Sequence, residues 1–211
     1  MTARRAITVY SDYKSPYAYL AKQAISALAT DRLATVDWKP YILDIPQYLG
    51  SATVDEAGHV VAENRNAHQW RRVRYSYMDC RRQARKAGLI IRGTRKIWDS
   101  TLAAAGMLFA QYQDAAVFQR YHDAVFDRFW RRELDIESVP AIAAILAEAG
   151  ADAARFPAWA ETGRDEVTRI SREAEVLGVF GVPSFIVDGE LFWGREHLAD
   201  IRELLAAPGP A

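Results

Sequence analysis

Apolar residues along this chain recur at two periods, and the switches between them mark the elements. Residues 6–10, Ala-Ile-Thr-Val-Tyr, form a short apolar run that reads as a first strand. A helical pattern follows from Pro16 to about Leu33, and 34–41 alternates at period two, as a half-buried strand does. Two parallel strands joined by a helix make a right-handed βαβ unit. The period then stays helical, over 67–87, 100–112, 115–132, 138–149 and 156–177. Phe118, Tyr121, Val125 and Phe129 fall on one face there and are expected in a core. No convincing strand stands out in this middle region, and Pro46, Gly50 and Gly58 make 46–64 the irregular stretch. After 178, Phe185–Val187 and Leu191–Trp193 flank Asp188-Gly189, a two-residue hairpin turn needing positive backbone angles. A last helix runs from about Glu196 to Leu205, followed by a short Ala/Pro/Gly tail. The expectation is an α/β architecture in three stretches: 1–45, a helical insertion at 46–177, and 178–211 as ββα.

Composition narrows the function classes. The chain has 211 residues, half of them hydrophobic, with 27 basic and 27 acidic side chains and a formal net charge of zero. That balance argues against nucleic acid or an anionic membrane as a partner. No apolar run approaches the roughly 20 residues of a membrane span, and Met1 to Arg5 lead into the strand without a signal-peptide pattern. The single cysteine, Cys80, excludes an internal disulfide and a Cys-x-x-Cys pair. A cytoplasmic location is the expectation. His59, His68, His122 and His197 show no ligand spacing, so no metal site is expected. Neither a P-loop nor a Gly-x-Gly-x-x-Gly fingerprint occurs.

Candidate chemistry begins at Ser15-Pro16-Tyr17-Ala18, where the first strand gives way to the first helix. Chains that place a reactive sulfur here usually write Cys-Pro-x-Cys. Ser15 suits an N-cap and Pro16 the first helical position. The same geometry aims free N–H groups and a partial positive charge outward, which favours a bound anion such as a thiolate. Capping alone explains both residues, so further evidence must come from Gly178-Val-Phe-Gly-Val-Pro-Ser-Phe-Ile-Val187. A Val182-Pro183 step before a buried strand is awkward for a residue without an N–H. A cis peptide there would leave the backbone of Val182 as an edge for a peptide-like ligand.

Together, the Ser-Pro-Tyr after the first strand and the Gly-Val-Pro-Ser-Phe, Asp-Gly and Phe-Trp-Gly run near the C-terminus resemble one family. It comprises the 2-hydroxychromene-2-carboxylate isomerases and the related kappa-class glutathione transferases. They are kin of the disulfide oxidoreductases, with a thioredoxin-like fold interrupted by a large all-helical insertion between the N-terminal βαβ and the C-terminal ββα. The similarity is tight at 6–33 and 174–205, fair from Tyr75 to Gly88, and poor at 42–66.

The resemblance implies a glutathione-dependent isomerase, with a kappa-like transferase or a non-redox thiol-binding relic as alternatives. It assigns Ser15 to hold the sulfur of reduced glutathione as thiolate. Val182, before the cis residue Pro183, would pair with the cysteinyl backbone. Arg195 and Glu196, where relatives more often carry Asn or Ser followed by Asp, would bind the γ-glutamyl end. Asn64, or Asn66, and Tyr75 fall loosely on the substrate side. The partner implied is a small electrophilic molecule, and relatives of this kind are commonly dimers, so a homodimer is a further expectation. The residues themselves carry three more readings. Arg71, Arg72, Arg74, Arg81, Arg82, Arg85 and Lys86, interleaved with Trp70, Tyr75 and Tyr77, read as a solvated face that could draw an acidic substrate or contact nucleic acid. Cys80 reads as a packing residue, and Trp193 as core or cleft wall.

Overall fold

A computed structural model describes residues 5–207; Met1 to Arg4 and the tail residues Pro208 to Ala211 lie outside the described residues. In chain order the elements are β1 (Arg5–Ser11), α1 (Pro16–Thr30), β2 (Ala34–Pro40), α2 (Ile45–Leu49), β3 (Ala52–Val54), β4 (Val60–Glu63), α3 (Ala67–Lys86), α4 (Thr101–Gln111), α5 (Ala115–Trp130), α6 (Val139–Glu148), α7 (Phe156–Val176), β5 (Ser184–Val187), β6 (Glu190–Trp193) and α8 (Leu198–Ala206). Short 3-10 turns occupy Ala153–Arg155 and Arg195–His197. The chain separates into two compact units: residues up to Ile42 with those from Val167 onward, and Leu43–Glu166.

The first unit is built on a four-stranded sheet of order β2-β1-β5-β6. β1 pairs parallel to β2, as the βαβ pattern predicts, and antiparallel to β5, which pairs antiparallel to β6. Val9 lies opposite Phe185 and Ile7 opposite Val187, all four fully buried. Each such side chain stabilises the fold by roughly 1.5–3 kcal/mol relative to exposure. The β5–β6 turn places Asp188 at φ 49° and Gly189 at φ 84°, the positive angles the Asp-Gly pair was expected to take. α1 contributes Ala18, Ala21, Ile25 and Leu28 to the core, and α8 contributes Ile201 and Leu205. The last turns of α7 belong here too, through Val167, Ile170 and Ala174, which recur at helical spacing and are buried. The contact boundary therefore falls inside α7, whereas the periodicity alone carries the helical stretch to 177 without a break.

The second unit is mostly helical. Tyr121, fully buried as its spacing predicts, donates its hydroxyl to Ala103 O at 2.8 Å. Gly106 makes room for it, since a Cβ there would lie 2.1 Å from the Tyr121 oxygen. Two features differ from the sequence expectation for 46–64. Asp44 caps α2 by accepting from Gln47 N–H at 3.3 Å, and β3 and β4 form an antiparallel hairpin. β4 is exposed along its whole length, so it carries no inside–outside alternation to read. The hairpin is closed instead by local bonds: the Asp55 carboxylate accepts from His59 N–H at 2.9 Å, and Gly58 N–H reaches Asp55 O at 3.1 Å. Those backbone donors hold the Asp55 carboxyl below its usual pKa. No helix among the described residues is long and apolar enough to cross a membrane.

Candidate functional site

The ladder of the first unit decides which chemistry-bearing residues meet. Ser11 lies opposite Pro40, Tyr10 opposite Ser184, and Ser184 opposite Trp193. The segments that follow β1, β2 and β6 and the one that precedes β5 therefore leave the sheet at the same end. Ser15, Val182, Pro183, Arg195 and Glu196 are all carried on those segments.

Between β1 and α1 the sequence Ser11-Asp12-Tyr13-Lys14-Ser15 makes a tight turn. Ser15 N–H donates to Asp12 O at 3.0 Å, and Lys14 N–H to Asp12 Oδ1, also at 3.0 Å. Lys14 Nζ closes on Asp12 Oδ2 at 3.2 Å, with the two side chains 5% and 0% exposed. An ion pair so far from water depends on opposite charge held close by. Sequence reasoning missed this pair; its signal was two opposite charges inside a five-residue junction. Ser15 itself is buried and has extended backbone angles, and its Oγ accepts from Ala18 N–H at 3.2 Å. Pro16 is the first helical residue. Accepting that bond leaves the hydroxyl hydrogen of Ser15 free to donate to an anion at the helix start. Ser11 Oγ, also buried, has no hydrogen-bond partner among the described residues.

On the opposing segment the Val182–Pro183 peptide is cis. The paired register of β5 begins at Ser184, so Val182 lies beyond it. Ser184, fully buried, donates its hydroxyl to Gly181 O at 2.7 Å, and Gly194 N–H reaches Pro183 O at 2.9 Å. These bonds fix the backbone on either side of Val182. Gly181 is required by a close approach: a Cβ there would sit 2.5 Å from Trp193 Nε1. Trp193 is half exposed and packs on Phe180, with ring centroids 4.8 Å apart, so it forms a surface wall rather than core.

Beyond β6, the expected helix start at Glu196 is instead a 3-10 turn, Arg195–His197, and α8 begins at Leu198. Gly194 takes φ 104°, and a Cβ on it would meet the Glu196 carboxylate at 2.4 Å. The carboxylate is folded back over that glycine. Neither Arg195 nor Glu196 forms an ion pair among the described residues, which leaves one cation and one anion for a ligand carrying both charges.

Asn64 and Tyr75 belong to the second unit. Asn64 Oδ1 accepts from Ser51 N–H at 2.6 Å and Ser51 Oγ at 3.1 Å, tying the base of the β3–β4 hairpin. Tyr75 is 58% exposed on α3. Cys80 is fully buried in the same helix, and burial pushes its thiol up to about 11, which suits a packing residue and not a nucleophile. Among the described residues no group of His, Cys, Asp and Glu is arranged to hold a metal ion.

Residues 6–206 match the family model of the DSBA-like thioredoxin domain. A 2-hydroxychromene-2-carboxylate isomerase of Sphingobium xenophagum is 27% identical over 200 residues, covering 92% of this chain and 94% of that protein. One from Pseudomonas putida is 29% identical over 202 residues, covering 91% and 90%. The solved structure of a 2-hydroxychromene-2-carboxylate isomerase superposes with a TM-score of 0.71 at 20% identity, covering 94% of this chain and 93% of that one.

Proposed function

The chain belongs to the DSBA-like thioredoxin domain family, and from that premise we propose that it is a glutathione-dependent isomerase whose reactive sulfur comes from the cofactor. One observation carries the reading. At the start of α1, where a redox member of such a fold needs cysteine, the chain has a buried serine whose Oγ accepts from Ala18 N–H and so can still donate. The isomerase names of the relatives support the reaction class.

The residues fit a γ-glutamyl tripeptide. Ser15 would donate to the sulfur, while the positive end of α1 lowers the cost of the negative charge. Val182, beyond the paired register, would offer backbone groups to the cysteinyl residue. Glu196 would take the γ-glutamyl ammonium and Arg195 its carboxylate. When bound, glutathione supplies a thiolate that adds reversibly to an electrophilic carbon of an aromatic-degradation intermediate, so that a double bond can rotate before elimination restores it. The half-exposed Phe180–Trp193 pair would offer that planar substrate an apolar surface. A cytoplasmic setting, where reduced thiols are maintained, suits this chemistry.

The test is interconversion of 2-hydroxychromene-2-carboxylate and its ring-opened isomer, followed by absorbance with and without reduced glutathione. The expected result is turnover only with the thiol, and a loss of about 100-fold or more in Ser15→Ala. A stable glutathione adduct in place of interconversion would move the assignment to a kappa-like transferase. Turnover without any thiol would overturn the cofactor's role.

A further inference from the structure

α3 carries seven arginine or lysine residues from Arg71 to Lys86 and a single acid, Asp79. On that helix Asp79 pairs with Arg82 at 2.8 Å and accepts from Gln83 at 2.5 Å. Trp70, Arg74, Tyr77, Arg81 and Arg85 recur at steps of three or four, so they share one face. That face lines a cavity of about 570 Å³ within the second unit, opposite β3 and the 93–97 segment. The volume is in the range that holds a small organic molecule.

The walls are strongly one-signed. Arg65, Arg74, Arg81, Arg85, Lys96 and Arg132 line the cavity, and no carboxylate does. Lys96 is neutralised by Glu137 at 2.5 Å. None of the five arginines forms an ion pair among the described residues, and burial pushes the Arg65 guanidinium down from its usual value, although Tyr77 and Glu63, the latter hydrogen-bonded to the Trp70 indole, favour its charge. Four of the guanidinium groups are nonetheless held. Arg65 and Arg74 lie over the Trp70 ring at 5.0 and 5.7 Å, and Arg81 over Tyr77 at 5.5 Å. Arg65 Nε donates to Leu49 O at 2.9 Å, and Arg132 Nε to Gly93 O at 2.6 Å. Gly93 admits this crowding, because a Cβ there would be 3.0 Å from Arg81 Nη2. Burial, Arg95, Arg81 and Arg92 together push the Arg132 guanidinium down from its usual value, as expected for cations that lack a counter-charge. Val54, Val73, Met78 and Ile97 supply an apolar floor.

We propose that this cavity is a binding site for a small organic polyanion, with two or more carboxylate or phosphate groups on a compact apolar or aromatic body. Positioned arginine forks recognise such groups bidentately, and the rings that hold the forks reduce the entropy lost on binding. The concave shape and the zero net charge of the chain favour a small ligand over a nucleic acid strand. The site uses residues of the second unit alone, so it stands or falls independently of Ser15.

The test is calorimetric titration of the full chain, at low salt, with benzene-1,2,4-tricarboxylate, ADP, inorganic pyrophosphate and a thymidine 20-mer. The tricarboxylate or ADP is expected to bind with one site per chain, more tightly than pyrophosphate; the tighter of the two identifies carboxylate or phosphate as the natural group. Arg81→Ala and Arg74→Ala should each weaken it about tenfold. Arg72→Ala, exposed on α3 and not on the cavity, should leave it unchanged. Circular dichroism of each variant separates lost binding from lost fold. Three results would overturn the proposal: no saturation by any small anion at about millimolar concentration, equal weakening by Arg72→Ala and Arg81→Ala, or binding of the 20-mer in preference to every small anion. Equal affinity for pyrophosphate would remove the apolar body from the assignment.

Discussion

Beside the candidate thiol site in the first unit, charge is withdrawn from water and matched: Lys14 and Asp12 stand 3.2 Å apart, almost wholly buried. Along α3 in the second unit, charge of one sign is gathered, seven basic residues to a single acid, Asp79, which meets Arg82 and Gln83. The first arrangement makes a rigid junction that presents one neutral hydroxyl at a helix start. The second makes a local positive field in a chain whose total charge is zero. Net charge is therefore silent about both, because one cancels within a single turn and the other is offset elsewhere.

The comparison breaks most severely at Asp12. Asp12→Ala takes a carboxylate away from the buried Lys14 ammonium and also removes the acceptor of Lys14 N–H. A loss of about 3–5 kcal/mol is expected, read from urea unfolding; a loss below 1 kcal/mol would mean that water reaches the pair. Next is Ser15→Ala, which removes a helix cap and should cost about 1 kcal/mol in the same assay. An unchanged midpoint would show that the Ala18 N–H finds another acceptor. The cationic side is expected to respond least: Arg85→Ala takes away a cation with no ion pair and should shift stability by less than about 0.5 kcal/mol. A clear destabilisation there would reveal a structural rather than a ligand-binding role.

Cys80 sharpens the contrast between the two sides of α3 without a mutation. Burial raises its thiol to about 11, above the roughly 8.5 of an unfolded chain, so folding retains the neutral form. Its contribution to stability is complete below the unfolded value and declines as pH rises through the folded one. At pH 8, a thiol reagent should label the native protein on the order of a hundredfold more slowly than the urea-unfolded chain. Equal rates would contradict the burial.

Much of this was legible in the sequence for identifiable reasons. The long helices announce themselves by apolar period, and Asp188-Gly189 by the angles its turn demands. Ser15-Pro16 reads as a cap because few residues suit that position. The β3–β4 hairpin was not legible, since β3 has only three residues, too few to show a period, and β4 is exposed along its whole length, although Val60-Val61 and the Asp55–Gly58 turn were local hints. The Asp12–Lys14 pair was hidden because burial of a charge depends on what packs above it. The cationic cavity was half visible: the sequence shows the basic helix, but only the 93–97 segment and β3 convert an exposed face into a cavity.

The most direct test of the borrowed sulfur is a calorimetric titration of the purified protein with reduced glutathione, repeated with S-methylglutathione and with Ser15→Ala. The account predicts saturable binding that prefers the free thiol, releases a proton near neutral pH, and loses that preference in the mutant. Absence of binding, or equal affinity for both compounds in both proteins, would contradict it and return Ser15 to the role of a helix cap.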